Sequence, residues 1–382
     1  MILFLLTFFL VYGSLHLYVF LKVRAALTLG AKTSIFLVLF MIVMVGAPII
    51  IRLSEKAGLE LLARLFAYIG YMWMGILILF VSGSLIIDMY RFILFASGII
   101  LKKNLSHITI PYTYAFFIPL VISIIIALYG FFEARDIRTE MVTIKTQKIS
   151  EEIGSLKIVQ ISDVHLGLIV GEERLKKILH IVKTENPDIL VSTGDLVDGQ
   201  SDNLTRIADL LNEIKPRYGK FAITGNHEFY AGLTHSLQFM EKAGFTILRG
   251  EQLSVAGIIN IVGIDDPAGK RYNLYNNISE IKLLTGPRQD TFTLLLKHRP
   301  VVDDSSVGLF DLQLSGHVHK GQIFPLSIIT SLLYPTQEGL AHLPSNSYLY
   351  VSRGSGTWGP PIRFLSPPEV TVIELVHSQD FK

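Results

Sequence analysis

Residues 220–228 read KFAITGNHE, and a change of character inside that stretch decides how the chain is to be read. Residues 220–224 form a β-type run, and Gly225-Asn226-His227-Glu228 reads as the loop that follows it. Gly-Asn alone is an ordinary turn signal. Four further blocks give it meaning: Asp163-Val164-His165 and Gly194-Asp195 upstream, His298 and Gly316-His317-Val318-His319 downstream. Each stands at or just past the end of an apolar β-type run, and open α/β sheets place their sites at strand ends.

Outward from these blocks, residues 141–382 alternate between strand and helix patterns. Strands are expected at 141–149, 156–161, 188–192, 220–224, 245–248, 258–263, 291–296, 311–314, 348–352 and 370–376. Amphipathic helices are expected at 172–184, 203–214 and 236–243. No internal repeat or low-complexity segment interrupts the pattern.

The first third of the chain is different. Residues 1–132 are dominated by apolar runs, and about 20 apolar residues suffice to cross a bilayer. Four spans are expected, at 2–21, 34–51, 65–87 and 112–132. The first lacks the basic start and small-residue cleavage site of a signal peptide, so it reads as a retained helix. Residues 92–101 are too short to span alone and either extend the third helix or lie in the interface. Asp88, at the end of the third span, reads as an interfacial anchor. His16 reads as a packed or interhelically hydrogen-bonded residue. The spans lack the inward charges and Gly-broken pairs of a transporter. The expected organisation is a helical transmembrane region over 1–135, a linker and first strand over 136–149, and a catalytic domain over 150–382.

Charge follows the same division. Residues 1–140 carry 11 Lys and Arg against 6 Asp and Glu, and the remainder 23 against 26. The part with the chemistry is slightly acidic, which argues against a nucleic-acid partner. Basic residues are spread almost evenly around the spans. Four just after the last of them, Arg135, Arg138, Lys145 and Lys148, tilt the catalytic domain towards the cytoplasmic face of an inner membrane. The chain has no cysteine, so a disulfide framework and a thiolate zinc site are excluded. A ligand set of oxygen and imidazole without sulfur suits Mn, Fe or Zn.

The five blocks in this order resemble the calcineurin-like metallophosphoesterase superfamily, whose pattern is D-x-H, G-D, G-N-H-[D/E], H and G-H-x-H. The resemblance covers roughly residues 150–376. It implies a four-layer αββα sandwich and two divalent metal ions. By the family roles Asp163, His165 and His319 hold the first ion, Asn226, His298 and His317 the second, and Asp195 bridges them. Two ions about 3.5 to 4 Å apart can activate a water at neutral pH and stabilise the attacking and leaving oxygens at phosphorus. His227, next to a ligand, is implied as the general acid for the leaving group, a role suited to imidazole.

Further stretches, Gly263-Ile264-Asp265-Asp266, Gly321-Gln322-Ile323 and residues 353–363 among them, resemble the bacterial membrane-associated branch of the superfamily. That branch is similar to enzymes that split UDP-diacylglucosamine in lipid A synthesis. Arg299, Lys320, Arg353 and Arg363 are candidate phosphate contacts. The implied activity is hydrolysis of a phosphoric ester or pyrophosphate, with a lipid-linked nucleotide as substrate and the bilayer as partner. A general phosphodiesterase or nuclease, and a non-catalytic membrane sensor or scaffold, are the alternatives.

Overall fold

The computed structural model describes residues 2–199, 204–276, 278–286 and 290–378. It divides into two compact units, Met1–Phe132 with Gly359–Phe364, and Glu133–Trp358 with Leu365–Lys382.

The first unit is helical: α1 (Ile2–Ala26), α2 (Ala31–Lys56), α3 (Glu60–Leu101) and α4 (Tyr112–Glu133). All four are long and apolar enough to cross a membrane. Of the two readings for residues 92–101, extension of the third helix is the one observed. This helix runs unbroken through residues 92–101 for 42 residues, about 63 Å at 1.5 Å per residue and roughly twice a hydrocarbon core. Side chains tie the helices together where backbone cannot. The Trp73 indole of α3 donates to His16 Nε2 of α1 at 2.9 Å, and because indole is donor only, His16 Nδ1–H must donate to Tyr12 O at 2.8 Å. Asp88 of α3 is paired with Lys22 of α1 and accepts from Tyr18 Oη at 2.7 Å. The segment Gly359–Phe364 belongs to this unit. Arg363 N–H donates to Gly130 O at 2.9 Å, and Ile362 packs on Gly75.

The second unit holds two six-stranded sheets. Its strands are β1 (Arg138–Thr146), β2 (Ser155–Ile161), β3 (Ile189–Ser192), β4 (Lys220–Ala222), β5 (Thr246–Ile247), β6 (Glu251–Val255), β7 (Ile259–Ile264), β8 (Phe292–Lys297), β9 (Leu312–Ser315), β10 (Gly339–His342), β11 (Tyr348–Val351) and β12 (Glu369–His377). Its helices are α5 (Glu172–Glu185), α6 (Leu204–Asn212), α7 (Asn226–Ala231), α8 (Leu233–Lys242), α9 (Glu280–Thr285) and α10 (Leu326–Leu333). The sheet orders are β1-β12-β2-β3-β4-β5 and β10-β11-β9-β8-β7-β6. Strands β2 to β5 run parallel, as do β7, β8, β9 and β11, whereas β6 and β10 are antiparallel edges.

Successive strand residues point to opposite faces, and that alternation builds the layers. In β2, Leu156 and Ile158 enter the core between the sheets, while Val159 and Ile161 meet the helices. In β7, Ile259 and Ile261 face the inter-sheet core, and Val262 and Ile264 face α9. The helix α5 answers with Leu175, Ile178, Leu179 and Val182, one stripe at helical spacing. The result is helix, sheet, sheet, helix: the four-layer sandwich. Gln160 of β2 joins the sheets by donating to Ser315 O of β9 at 3.1 Å.

Several elements differ from the sequence reading. The strand expected at 141–149 is β1, shifted towards the N-terminus because it pairs with β12 from Arg138 opposite Glu369. β6 and β10 were not expected; as edges with mostly exposed or half-buried side chains they lack the apolar alternation of a core strand. The expected loop after residue 224 is a short turn into α7. The expected helix start at Asn203 lies outside the described residues.

Candidate functional site

Five connections at strand ends build the site. Asp163 and His165 follow β2, Asp195 follows β3, Asn226 opens α7 after β4, His298 follows β8, and His317 and His319 follow β9. The backbone turns sharply as it leaves each sheet. Asp163, His165, Asp195, His317 and His319 all have φ between 46° and 74°, a left-handed conformation that costs non-glycine residues energy and tends to cluster at functional sites. Two glycines let these turns approach one another. A Cβ on Gly225 would lie 2.2 Å from Asp195 Oδ1, and one on Gly316 would lie 2.0 Å from Ser162 Oγ.

The side chains converge in overlapping groups: Asp163 with His165 and His319, His165 with Asp195 and His227, and Asp195 with His298 and His317. His165 Nε2 lies 3.1 Å from His319 Nε2, which is 3.4 Å from Asp163 Oδ1. His298 Nε2 lies 3.2 Å from Asp195 Oδ2 and 3.2 Å from His317 Nδ1. Asp195 Oδ2 is also 3.9 Å from His165 Nε2, so this carboxylate touches both the first and the last of these groups. His298 Nδ1–H donates to Thr193 O at 2.8 Å, which fixes the ring so that Nε2 is the atom presented to Asp195 and His317. Asn226 Oδ1 is buried and has no hydrogen-bond partner among the described residues. Acceptors facing acceptors in a buried site, with an orphaned amide oxygen beside them, are the donor set of a divalent cation, and the residues fit one.

Surrounding contacts hold these donors in place. Asp163 accepts from His317 N–H at 3.0 Å and from Ser162 Oγ at 2.5 Å. The buried Glu228 carboxylate accepts from four backbone amides, those of Asp195 (3.0 Å), Leu196 (2.8 Å), Val197 (3.2 Å) and Gly225 (2.7 Å). It therefore clamps the turn after β3 to the turn after β4.

His227 is held by a residue that the sequence reading missed. Its Nδ1 lies 2.5 Å from Asp198 Oδ1. Burial alone would lower the pKa of this imidazole, but the Asp195 and Asp198 carboxylates outweigh it and push the group up to about 9. Burial and the neighbouring His298 drive His317 the other way, down to about 3. The signal for Asp198 was present, a second aspartate three residues after Asp195 in the same turn. An aromatic rim was also missed: the rings of Tyr230 and Trp358 lie 5.3 and 5.8 Å from that of His227, and Tyr334 lies 5.6 Å from His317. Isolated aromatics carry no sequence signal of that kind.

The four basic residues expected at phosphate separate. Arg299 stands beside the ligand cluster, fixed by Asp266 through Nε (2.7 Å) and Nη2 (3.0 Å). Lys320 is paired with Glu338 Oε1 at 2.5 Å. Arg353 is bound to Glu338 at 3.0 Å, to Glu369 at 2.8 Å and to Glu140. Arg363 is completely buried. Arg353 is thus held by three carboxylates, and Arg363 has no exposed surface.

Comparison with known proteins agrees with this geometry. The family model described as calcineurin-like phosphoesterase matches residues 156–321. An uncharacterized metallophosphoesterase of Aquifex aeolicus is 40% identical over 255 residues, 66% of this chain and 97% of that one. A transmembrane protein with metallophosphoesterase domain from Danio rerio is 33% identical, over 67% of this chain and 61% of its own. A Bacillus subtilis metallophosphoesterase is 32% identical over 65% of this chain and 89% of its own. The Haemophilus influenzae NAD nucleotidase structure overlays with a TM-score of 0.35 at 19% identity, covering 53% of this chain and 45% of that one. With the Aquifex aeolicus relative matched over 97% of its length, and carboxylate, amide and imidazole donors gathered at the ends of parallel strands, the chain belongs to the calcineurin-like metallophosphoesterases, metal-dependent hydrolases of phosphoric esters.

Proposed function

We propose that the chain is a membrane-anchored, dinuclear-metal hydrolase that cleaves a phosphoric ester or pyrophosphate, with a lipid-linked nucleotide such as UDP-diacylglucosamine as substrate. The single observation that carries the dinuclear reading is Asp195, whose carboxylate stands between the two histidine groups. Asp163, His165 and His319 would hold one ion, Asn226, His298 and His317 the other, and Asp195 would be shared. Bound there, divalent cations supply Lewis acidity to the phosphoryl oxygens and lower the pKa of a water.

The chain's own residues do the rest. Asn226 offers a neutral oxygen, so the donor set leaves net positive charge for an anionic phosphate. His227, oriented through Nδ1 by Asp198, carries the proton that its ring delivers to the leaving oxygen. Arg299, fixed by Asp266, orients a phosphate oxygen. The bilayer reading rests on the four apolar helices, and the inner-membrane, cytoplasm-facing placement on the basic residues after the last span.

The test is turnover by the detergent-purified chain of bis-p-nitrophenyl phosphate and of UDP-diacylglucosamine, with and without added Mn, alongside metal analysis. Two equivalents of metal, preferred turnover of the lipid nucleotide, and loss of both metal and turnover in Asp195→Ala are expected. Full activity in Asp195→Ala would refute the dinuclear reading, and turnover of the generic ester alone would refute the substrate.

A further inference from the structure

Helix α10, LSIITSLL, carries its apolar face on the wrong side for a soluble domain. At helical spacing Ile328, Ile329, Leu332 and Leu333 share one face, and they are 57, 59, 81 and 72% exposed. None of the helix's residues is buried. On the opposite side Thr330 Oγ1 donates to Gln337 Oε1 at 2.6 Å, so the polar face is the one held to the protein. A contiguous exposed apolar face of this kind marks a contact surface.

The helix is joined to the site at both ends. Tyr334 follows it directly and sets its ring against His317. Before it, Gln322 Nε2–H donates to Trp358 O and Trp358 N–H donates to Gln322 Oε1, both at 2.9 Å, and the 54% exposed Trp358 ring lies against His227. Exposed apolar groups thus rim the histidine cluster on two sides.

We propose that α10 and Trp358 seat the rim of the site in the headgroup region of a lipid bilayer, so that the site takes phosphoesters of amphiphiles directly from the membrane surface. The substrate clause rests on the phosphoesterase reading; the docking does not. A bilayer is the occupant because the same chain carries four helices able to cross one. Between the last of them and β1 lie only residues 134–137, a tether that spans at most about 18 Å from Glu133 to Arg138. An uncharged helix with aliphatic residues on one face and a tryptophan near it has the composition of an interfacial element.

The chain has no cysteine, which makes site-specific labelling direct. Spin labels are placed singly by Ile329→Cys, Leu332→Cys and Leu333→Cys, with Lys177→Cys on the exposed side of α5 as control, in the full chain reconstituted into phosphatidylethanolamine and phosphatidylglycerol vesicles. The labels on α10 are expected to collide more with oxygen than with a water-soluble nickel chelate, and the control to show the reverse. Water-like accessibility at all four positions overturns the docking. So does dipolar broadening between copies, which would assign the face to a second chain.

A functional arm compares a diacyl p-nitrophenyl phosphodiester in the same vesicles with soluble bis-p-nitrophenyl phosphate. Leu332→Gln/Leu333→Gln is expected to lose about tenfold on the lipid ester, the equivalent of about 1.4 kcal/mol, and to retain turnover of the soluble one. Equal effects on both esters overturn entry from the bilayer. Lipid-like labels in a wild-type chain that hydrolyses neither ester would count against the phosphoesterase reading and leave the docking standing.

Discussion

His227 and Asp198 form a pair in which one residue carries the proton and the other sets where that proton sits. With Nδ1 held 2.5 Å from Asp198 Oδ1, the imidazole has one tautomer and one orientation. Together with Asp195, this carboxylate favours the charged ring and pushes the group up to about 9 despite its burial. The sign of its removal follows. Asp198→Asn withdraws a negative charge, lowers the pKa of His227, and moves the alkaline limb of the kcat–pH profile to lower pH. Loss of about ten- to a hundredfold in kcat at neutral pH, with metal content unchanged, is expected from metal analysis and steady-state kinetics across pH. An unmoved limb would mean that His227 is not the acid.

Among the elements, the parallel strands position the chemistry and the inter-sheet core positions the strands. Ile158 is fully buried between the sheets, in the strand that ends at Asp163. Ile158→Ala should lower the stability of the catalytic unit by about 3 kcal/mol, as expected for a cavity left by a large aliphatic side chain. Urea unfolding followed by near-ultraviolet circular dichroism reads this directly, and a shift under about 0.5 kcal/mol would mean that the core collapses around the gap. The helix α7 contributes differently. It starts at Asn226, whose buried Oδ1 has no hydrogen-bond partner among the described residues, and its Glu228 accepts four backbone amides from two turns, so a single six-residue helix fixes both the β3 and β4 connections.

At the scale of the molecule, a cation that binds the folded site and not the unfolded chain adds its binding free energy to stability. The site concentrates Asp163, Asp195 and three buried or nearly buried histidines, donors that a cation would satisfy together. Free metal at a hundredfold over its dissociation constant stabilises the folded state by about 2.7 kcal/mol per site. Dialysis against EDTA is therefore expected to lower the thermal midpoint of the catalytic unit, and Mn to restore it. Asp195→Ala, lacking the shared carboxylate, should respond weakly to either. A midpoint indifferent to chelation in the wild-type chain would contradict the ligand assignment.

How much of this was legible in the sequence depends on the range of the interaction involved. The four apolar helices, the alternation of strands and helices, and the order of the five strand-end blocks are local patterns of hydrophobicity and spacing, so composition and period determined them. The four-layer arrangement was implied by the family resemblance and not by periodicity, which places alternate residues of β2 and β7 on opposite faces but does not order the sheets. What required the tertiary structure was every partnership between distant residues. Asp198 reaching His227, Glu228 gathering amides from two turns and Arg353 held by three carboxylates depend on which loops the two sheets bring together. The outward apolar face of α10, a helix that the sequence reading did not expect, was hidden for the same reason: only the fold determines which side the rest of the protein covers.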